Sequence, residues 1–396
     1  MNNRRRLALV IVALPLAFYG YACSSDSTDT PAGEDGGTGA ETGTNPGIDS
    51  GTGTDSSTGT DTGTGTDASD GAVAPTCIGN PLTADGGTLD GGVDLDGAVA
   101  TQIVTAFAGD FLDGPQWLDA DGGILVYSEY NTAAPQLLRV AADGGANASF
   151  RTAGFTTANG PVGNAVRNGV VITAVDAQNG SGTPTFLLTA SDGGAAGSIA
   201  LGDAGATSPN DLVVGPANNL YFTDGQYQNV GNVGTAGLYR IAGDGGVFSL
   251  AQGFGRANGI ALSPDSTKLY VGVGPKFNDP DPRQVLTYDV SATGVVTTPG
   301  ATFLGAADLV DVPDGIAVDV AGNLWIAEAK AEISANNGPP GGRVEVFSPT
   351  KKKLGTIPFT TQRPTGVAFG GADGKTLFIT TETGVFTYVS RCAGVR

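Results

Sequence analysis

The sequence predicts an all-β fold, a six-bladed β-propeller over residues 77–396. Three observations carry the prediction. A short polar motif recurs six times at blade-like spacing. A strand-like apolar run follows each copy at a nearly constant distance. No long stretch has helical periodicity.

The first 22 residues read as an export signal. Arg4-Arg5-Arg6 is a basic leader, and Leu7 to Phe18 is an apolar run of 12 residues, too short to cross a bilayer as a helix. Gly20-Tyr21-Ala22-Cys23 then resembles a lipobox, with Tyr21 where such sites usually have Leu. Residues 1–22 are therefore expected to be a lipoprotein signal peptide and Cys23 the lipidated first residue. The other reading is an ordinary signal peptide cut near Ala22. Ser24, rather than Asp, follows the cysteine, which points to the outer membrane within the cell envelope. Residues 23–76 read as a disordered tether, because 24–72 are almost wholly Ser, Thr, Gly, Asp and Ala and offer too little apolar surface to offset ordering.

The formal charge is −19, and losing the leader's three Arg takes it to −22. That excludes the basic footprint nucleic-acid binding requires. With Cys23 lipidated, Cys77 and Cys392 remain at the two ends of the folded part. An exported protein permits a disulfide between them; two free thiols are the alternative.

The six copies run in order. Asp113-Gly114-Pro115 precedes Leu125-Val126-Tyr127, and Asn159-Gly160-Pro161 precedes Val170-Val171-Ile172. Asn210-Asp211-Leu212 leads to Leu220-Tyr221-Phe222, and Asn258-Gly259-Ile260 to Leu269-Tyr270-Val271. Asp314-Gly315-Ile316 leads to Leu324-Trp325-Ile326, and Thr365-Gly366-Val367 to Leu377-Phe378-Ile379. The copies are 46, 51, 48, 56 and 51 residues apart, and each apolar run starts 10 to 12 residues after its motif. Repeats of this length suit four-stranded blades; a β-helix has shorter rungs, and a sandwich would not give six near-equal units. Asp121-Gly122-Gly123, Asp143-Gly144-Gly145, Asp192-Gly193-Gly194 and Asp244-Gly245-Gly246 are hairpin signals, since tight turns need positive φ. Ring closure is expected between a strand near 102–108 and the C-terminal strand Gly384–Val389. Tyr221, Trp325 and Trp117 read as core residues of their strands.

The first motif residues would form a ring at one end of the central channel: Asp113, Asn159, Asn210, Asn258, Asp314 and Thr365. Asx-Gly could simply make a turn at each strand start. Six in register instead suggest an oxygen-rich site with two negative charges, which suits a hard divalent ion.

Here the sequence resembles the senescence-marker-protein/gluconolactonase (regucalcin-like) family over roughly 103–390. The stretches that carry the resemblance are Ser208-Pro209-Asn210-Asp211-Leu212, Ala257-Asn258-Gly259-Ile260, Pro313-Asp314-Gly315-Ile316 with Gly322-Asn323-Leu324-Trp325, and Phe369-Gly370-Gly371 with Leu377-Phe378-Ile379. The resemblance implies one divalent metal, Ca²⁺ foremost and Zn²⁺, Mn²⁺ or Mg²⁺ as alternatives, on Asp113, Asn258 and Asp314. It implies substrate contacts at Asn210 and Asn159. Asp113 stands where the family usually has Glu.

Histidine is absent from the chain, which excludes Ser-His-Asp and Cys-His catalysis and His-ligated zinc. The resemblance then implies a metal-dependent hydrolase opening lactones or cleaving related esters, with Asp314 as the carboxylate base. A non-catalytic surface binding module and a phosphotriesterase-like hydrolase are the alternatives. The expected partner is a small lactone or ester, the expected membrane link is the lipid alone, and the expected state is monomeric. Asp85 to Gly97 lacks the spacing and closing Glu of a calcium loop, and Lys351-Lys352-Lys353 reads as a solvated hairpin.

Overall fold

The computed structural model describes residues 95, 98–105, 111–120, 122–130, 132–177, 183–201, 205–226, 236–253, 255–275, 283–329 and 341–395. The chain divides into two compact units, 1–69 and 70–396, and the described residues belong to the second. The signal segment, Cys23, the tether, Cys77 and most of Asp85–Gly97 lie outside them.

Among the described residues, twenty-four strands, numbered β1–β24 in chain order, form six four-stranded antiparallel sheets. These are the six blades of the propeller. Five blades are continuous in sequence, each running outward from an inner strand. The inner strands are β2 (Phe111–Leu118), β6 (Asn159–Arg167), β10 (Pro209–Val214), β14 (Arg256–Leu262), β18 (Val312–Val318) and β22 (Pro364–Gly370). The sixth blade is built from both ends of the domain. Its outer strand β1 (Thr101–Thr105) pairs with β24 (Gly384–Val389), aligning Gln102 with Phe386 and Val104 with Val385. The expected closure is thus observed, and it satisfies the backbone edge that β24 would otherwise expose.

Burial falls from the channel outward. β14 and β22 are buried along their whole length, whereas the outer strand β9 (Ala195–Ala200) is almost entirely exposed. The core is distributed around the ring, with each cluster filling the gap between adjacent blades. Tyr221 and Leu238 of blade three pack on Ile260, Leu269 and Val271 of blade four. Trp117, Leu125 and Tyr127 of blade one pack on Phe378 and Val385 of blade six. Trp117 stacks on Phe378 at 5.5 Å between ring centroids, across the closure seam. Trp117, Tyr221 and Trp325 are all core residues, and each finds a polar partner: Asp119 Oδ1, Gly294 O and Asp319 Oδ2. The Asp-Gly-Gly segments are hairpin turns, with φ of 88° at Gly122 and 93° at Gly245.

Every inner strand slips register near its motif. The slip falls between Asp113 and Gln116, Pro161 and Asn164, Pro209 and Leu212, Ala257 and Ile260, Pro313 and Ile316, and Pro364 and Gly366. A bulge bends the strand and re-aims side chains, so six bulges at one level turn six short segments toward the channel axis.

Candidate functional site

In every blade but the second the motif is thus a bulge rather than a turn at a strand start. The bulge glycines serve close approach between neighbouring blades. A Cβ on Gly259 would stand 2.0 Å from Asp314 O, one on Gly315 2.6 Å from Gly366 Cα, and one on Gly163 2.4 Å from Asn210 O. Only backbone without side chains can meet at that distance around so narrow a ring.

A cavity at the mouth of the channel is lined by Asp113, Gly114, Asn210, Asp211, Asn258 and Gly315, with Pro115, Gly163, Gly366 and Val367 completing it. Asp314 lies beside Gly315 and receives a hydrogen bond from the Asn258 side chain. The structure therefore brings Asp113, Asn210, Asn258 and Asp314 together, as the sequence implies.

Two ring positions differ from expectation. Asn159 stands at the start of β6, opposite Ala177, three residues ahead of Val162. Val162-Gly163 forms the bulge of blade two, and Gly163, not Asn159, lines the cavity. Blade two spends three more residues before its bulge, so aligning Asn-Gly dipeptides puts Asn159 out of register. Its half-buried side chain carries an Oδ1 with no hydrogen-bond partner among the described residues. Thr365 is turned to structural use: its hydroxyl donates to Leu112 O at 2.6 Å and meets Thr380 Oγ1 at 3.0 Å.

The structure adds one residue that the sequence reading passed over. Asp211 lines the cavity, its Oδ1 accepting from Leu212 N at 2.9 Å and its Oδ2 from Ile260 N at 3.2 Å. The signal was available, because Asp211 occupies the motif's second place, where the other five copies have Gly.

Three carboxylates consequently share the mouth. Solvent reaches each of them, yet protein surrounds them, and that burial governs their protonation. It pushes the Asp113 carboxyl up to about 6 against the hydrogen bond from Gly114 N. Asp211 is pushed up to about 7, first by burial and then by the Asp113 charge. Asp314 lies well above the ordinary carboxylate range through burial and the charges of Asp113 and Asp211, opposed by the Asn258 amide and Arg363. Arg363 is itself paired with Glu382 and stands 5.7 Å from the centre of the Phe111 ring.

Buried side chains fix the backbone on which these groups ride. Leu112 O is held by Thr365, and Gly114 O accepts from Asn164 Nδ2 at 2.7 Å, so Asp113 is braced from blades six and two. Asn164 is held in turn by Thr173 and Ser128. Thr223 Oγ1 accepts from Asp211 N at 3.0 Å and donates to Asn258 O at 2.6 Å, tying blade three to blade four.

Oxygen donors, clustered carboxylates and scant local cation charge suit a hard divalent ion. Among the described residues no three Asp, Glu or Cys side chains alone are arranged to hold a metal. A site here needs the amide oxygen of Asn258 beside two carboxylates. At the other end of the domain, Cys392 is fully buried and disulfide-bonded.

Comparison with known proteins agrees with this geometry. Residues 112–383 match the SMP-30/Gluconolactonase/LRE-like region. A gluconolactonase of Zymomonas mobilis is 30% identical over 192 residues, 45% of this chain and 49% of its own length. The pentonolactonase XacC of Haloferax volcanii is 27% identical over 206 residues, 50% of this chain and 64% of its own. The matches thus span about half to two thirds of these relatives. Among solved structures, XC5397, a gluconolactonase from Xanthomonas campestris, superposes with a TM-score of 0.54 at 23% identity, over 74% of this chain and 89% of that one. A calcium-binding regucalcin from Agrobacterium tumefaciens superposes with a TM-score of 0.53 at 18% identity, over 72% and 93%. The family match takes in every bulge and every carboxylate of the channel mouth, and the chain belongs to the SMP-30/gluconolactonase/LRE-like family.

Proposed function

We propose that the protein is a metal-dependent hydrolase that opens sugar lactones or cleaves related esters at the channel mouth. The observation that carries this reading is the convergence of Asp113, Asp211 and Asp314 around Asn258, in a chain whose relatives include a gluconolactonase and a pentonolactonase. Asp113, Asn258 and Asp314 would hold one divalent ion, Ca²⁺ foremost.

When bound, the ion supplies Lewis-acid polarisation of a carbonyl and offsets the charge that develops on its oxygen. The protein's own groups do the rest. Asp314 accepts a proton from the attacking water, since a carboxylate base is what a His-free chain has to offer. Asn210 hydrogen-bonds substrate hydroxyls within the cavity. Asn159 stands about 10 Å further along the strand toward its start, so its amide would reach only a distal part of a substrate outside the cavity. Small, rigid glycines keep the mouth narrow and exclude bulky substrates.

The test is metal analysis of the purified mature chain, together with a panel of aldonolactones and aryl esters. Turnover that chelation removes, metal restores and Asp314→Asn abolishes would support the proposal. A metal-free, inert protein on which Asp314→Asn has no effect would sink it in favour of a binding module. Turnover of phosphotriesters alone would redirect it to that chemistry. The proposed location, lipid-anchored in the envelope, is checked separately: Cys23→Ser should move the protein from the membrane to the soluble fraction, and continued membrane retention would refute lipidation there.

A further inference from the structure

Behind Asp314 lies a second pair of acids that the proposed chemistry does not use. Glu328 lies on β19 (Leu324–Ala329) and Glu345 on the adjacent β20 (Gly342–Phe347), and both are fully buried. Glu328 Oε2 accepts from Val310 N at 2.9 Å and from Asp311 N at 2.7 Å. It thereby pins the segment that leads directly into Val312-Pro313-Asp314, and Pro313 is its ladder partner on β18. Glu345 Oε1 pairs with Lys353 Nζ at 2.5 Å. The remaining oxygens, Glu328 Oε1 and Glu345 Oε2, are buried with no donor among the described residues.

Blade three has the same clamp without this defect. Asp224 Oδ2 accepts from Thr207 N and Ser208 N ahead of Asn210, and its Oδ1 accepts from Gln226. In blade five the second oxygen has no donor among the described residues, and Glu345 is its diagonal neighbour across the ladder, with Glu328 opposite Arg343 and Glu345 opposite Ile326. Two buried carboxylate oxygens cannot face one another dry and fully ionised, because neither can donate and their charges repel.

We propose that Glu328 and Glu345 hold one proton between them in the folded protein, and that this proton makes Glu328 a positioning residue for Asp314. The proton supplies the missing donor between Glu328 Oε1 and Glu345 Oε2. Glu345 carries the remaining charge toward Lys353, and Glu328 keeps its other oxygen for the two N–H groups. Burial, then repulsion from Glu345, pushes the Glu328 carboxyl up to about 8, against the N–H groups of Asp311 and Val310. The charged groups facing the pair are Lys353 from β21 (Lys353–Phe359), Arg343 opposite Glu328 in the ladder, and Asp311, which Arg343 contacts at 3.3 Å. β18 presents the uncharged Pro313. Just ahead of β22 (Pro364–Gly370) stands Arg363, paired with Glu382.

The folded pair binds a proton more tightly than the unfolded chain does. Its contribution is therefore complete below the unfolded carboxylate range, and it is lost as pH rises toward about 8. Above that, the ionised pair pushes apart and the 310–311 segment loosens. The shared proton stands independently of the proposed function; only the consequence for Asp314 rests on that reading.

The test follows the unfolding of the mature wild type and of Glu328→Gln in urea from pH 5.5 to 9. The amide oxygen keeps both N–H bonds and the amide nitrogen donates to Glu345, a permanent substitute for the shared proton. Between about pH 5.5 and 7.5 the wild-type unfolding constant should climb about tenfold per pH unit more steeply than the variant's. Parallel profiles would overturn the shared proton. Glu345→Gln should flatten the profile in the same way and serves if Glu328→Gln does not fold. Positioning is read in the wild type alone, from hydrogen-exchange protection of the Val310 and Asp311 amides. It should fall at least tenfold between pH 6 and 9 relative to other strand amides, and unchanged protection would overturn it. Calcium titration then separates this from the site reading. Wild type at pH 9 should bind at least fivefold more weakly than Glu328→Gln, with the two equal at pH 6. Equal affinities at pH 9 would overturn the positioning role, whereas no calcium binding by either protein at any pH would count against the metal reading alone.

Discussion

Asp113, Asp211 and Asp314 define the chemistry of the channel mouth because burial holds all three above their ordinary protonation range, with repulsion from Asp113 adding to it at Asp211 and Asp314. The sign of the consequence is fixed. Groups whose folded values are raised stabilise the protein below the unfolded range and cease to do so as pH rises through about 6 to 7 and beyond. The metal-free protein should melt lower at pH 8 than at pH 5, and millimolar calcium should narrow that difference. A melting profile that calcium leaves unchanged at pH 8 would argue against a cation between these carboxylates. Gly259→Ala probes the same ring sterically. Its new methyl would have to displace the Asp314 carbonyl, 2.0 Å from where an ideal Cβ would stand, and such overpacking should cost about 1–3 kcal/mol in urea denaturation. Wild-type stability in that variant would mean the ring is looser than its backbone contacts indicate.

Among the elements, the bulged inner strand is the unit that makes a site, and the closing strand is the unit that makes a ring. Without β1, β24 would present an unpaired edge, and Val104 would leave the cluster formed by Trp117, Tyr127, Phe378 and Val385. A chain beginning at residue 106 should therefore melt lower than the mature protein and self-associate, as size-exclusion chromatography can show. A monomeric truncation of unchanged stability would mean that β1 merely decorates the sixth blade. The repeat pattern made these elements legible: all six apolar runs, the Asp-Gly turns and the closing strand fall where the sequence places them. The bulges were not legible, because inner strands such as β14 and β22 are buried on both faces and have no polar–apolar alternation for an inserted residue to invert. Asn159 and Asp211 show the result. One was drawn into the ring by its Asn-Gly dipeptide, and the other was passed over beside Asn210.

For the whole molecule, six inter-blade clusters replace one central core, so stability rests on keeping the ring shut. Cys392, buried in the cluster between blades five and six, is disulfide-bonded. Reduction should lower stability by about 2–4 kcal/mol, seen as a lower melting temperature in reductant. The chain has three cysteines, and peptide mapping under non-reducing conditions should find Cys392 joined to Cys77. Linkage to Cys23 would instead refute lipidation at that residue. The sequence by itself determined the fold, the number of blades, the closure and four members of the channel ring, because each depends on repeating local chemistry: alternating apolar runs, turn residues and motif spacing. Tertiary structure alone decided that Asp211 joins Asp113 and Asp314, that Asn159 stands apart, and that Glu328 and Glu345 are buried side by side on adjacent strands. Those outcomes depend on register across strands and on approach between blades, where residues apart in sequence share one desolvated space and the charge of one raises its neighbour.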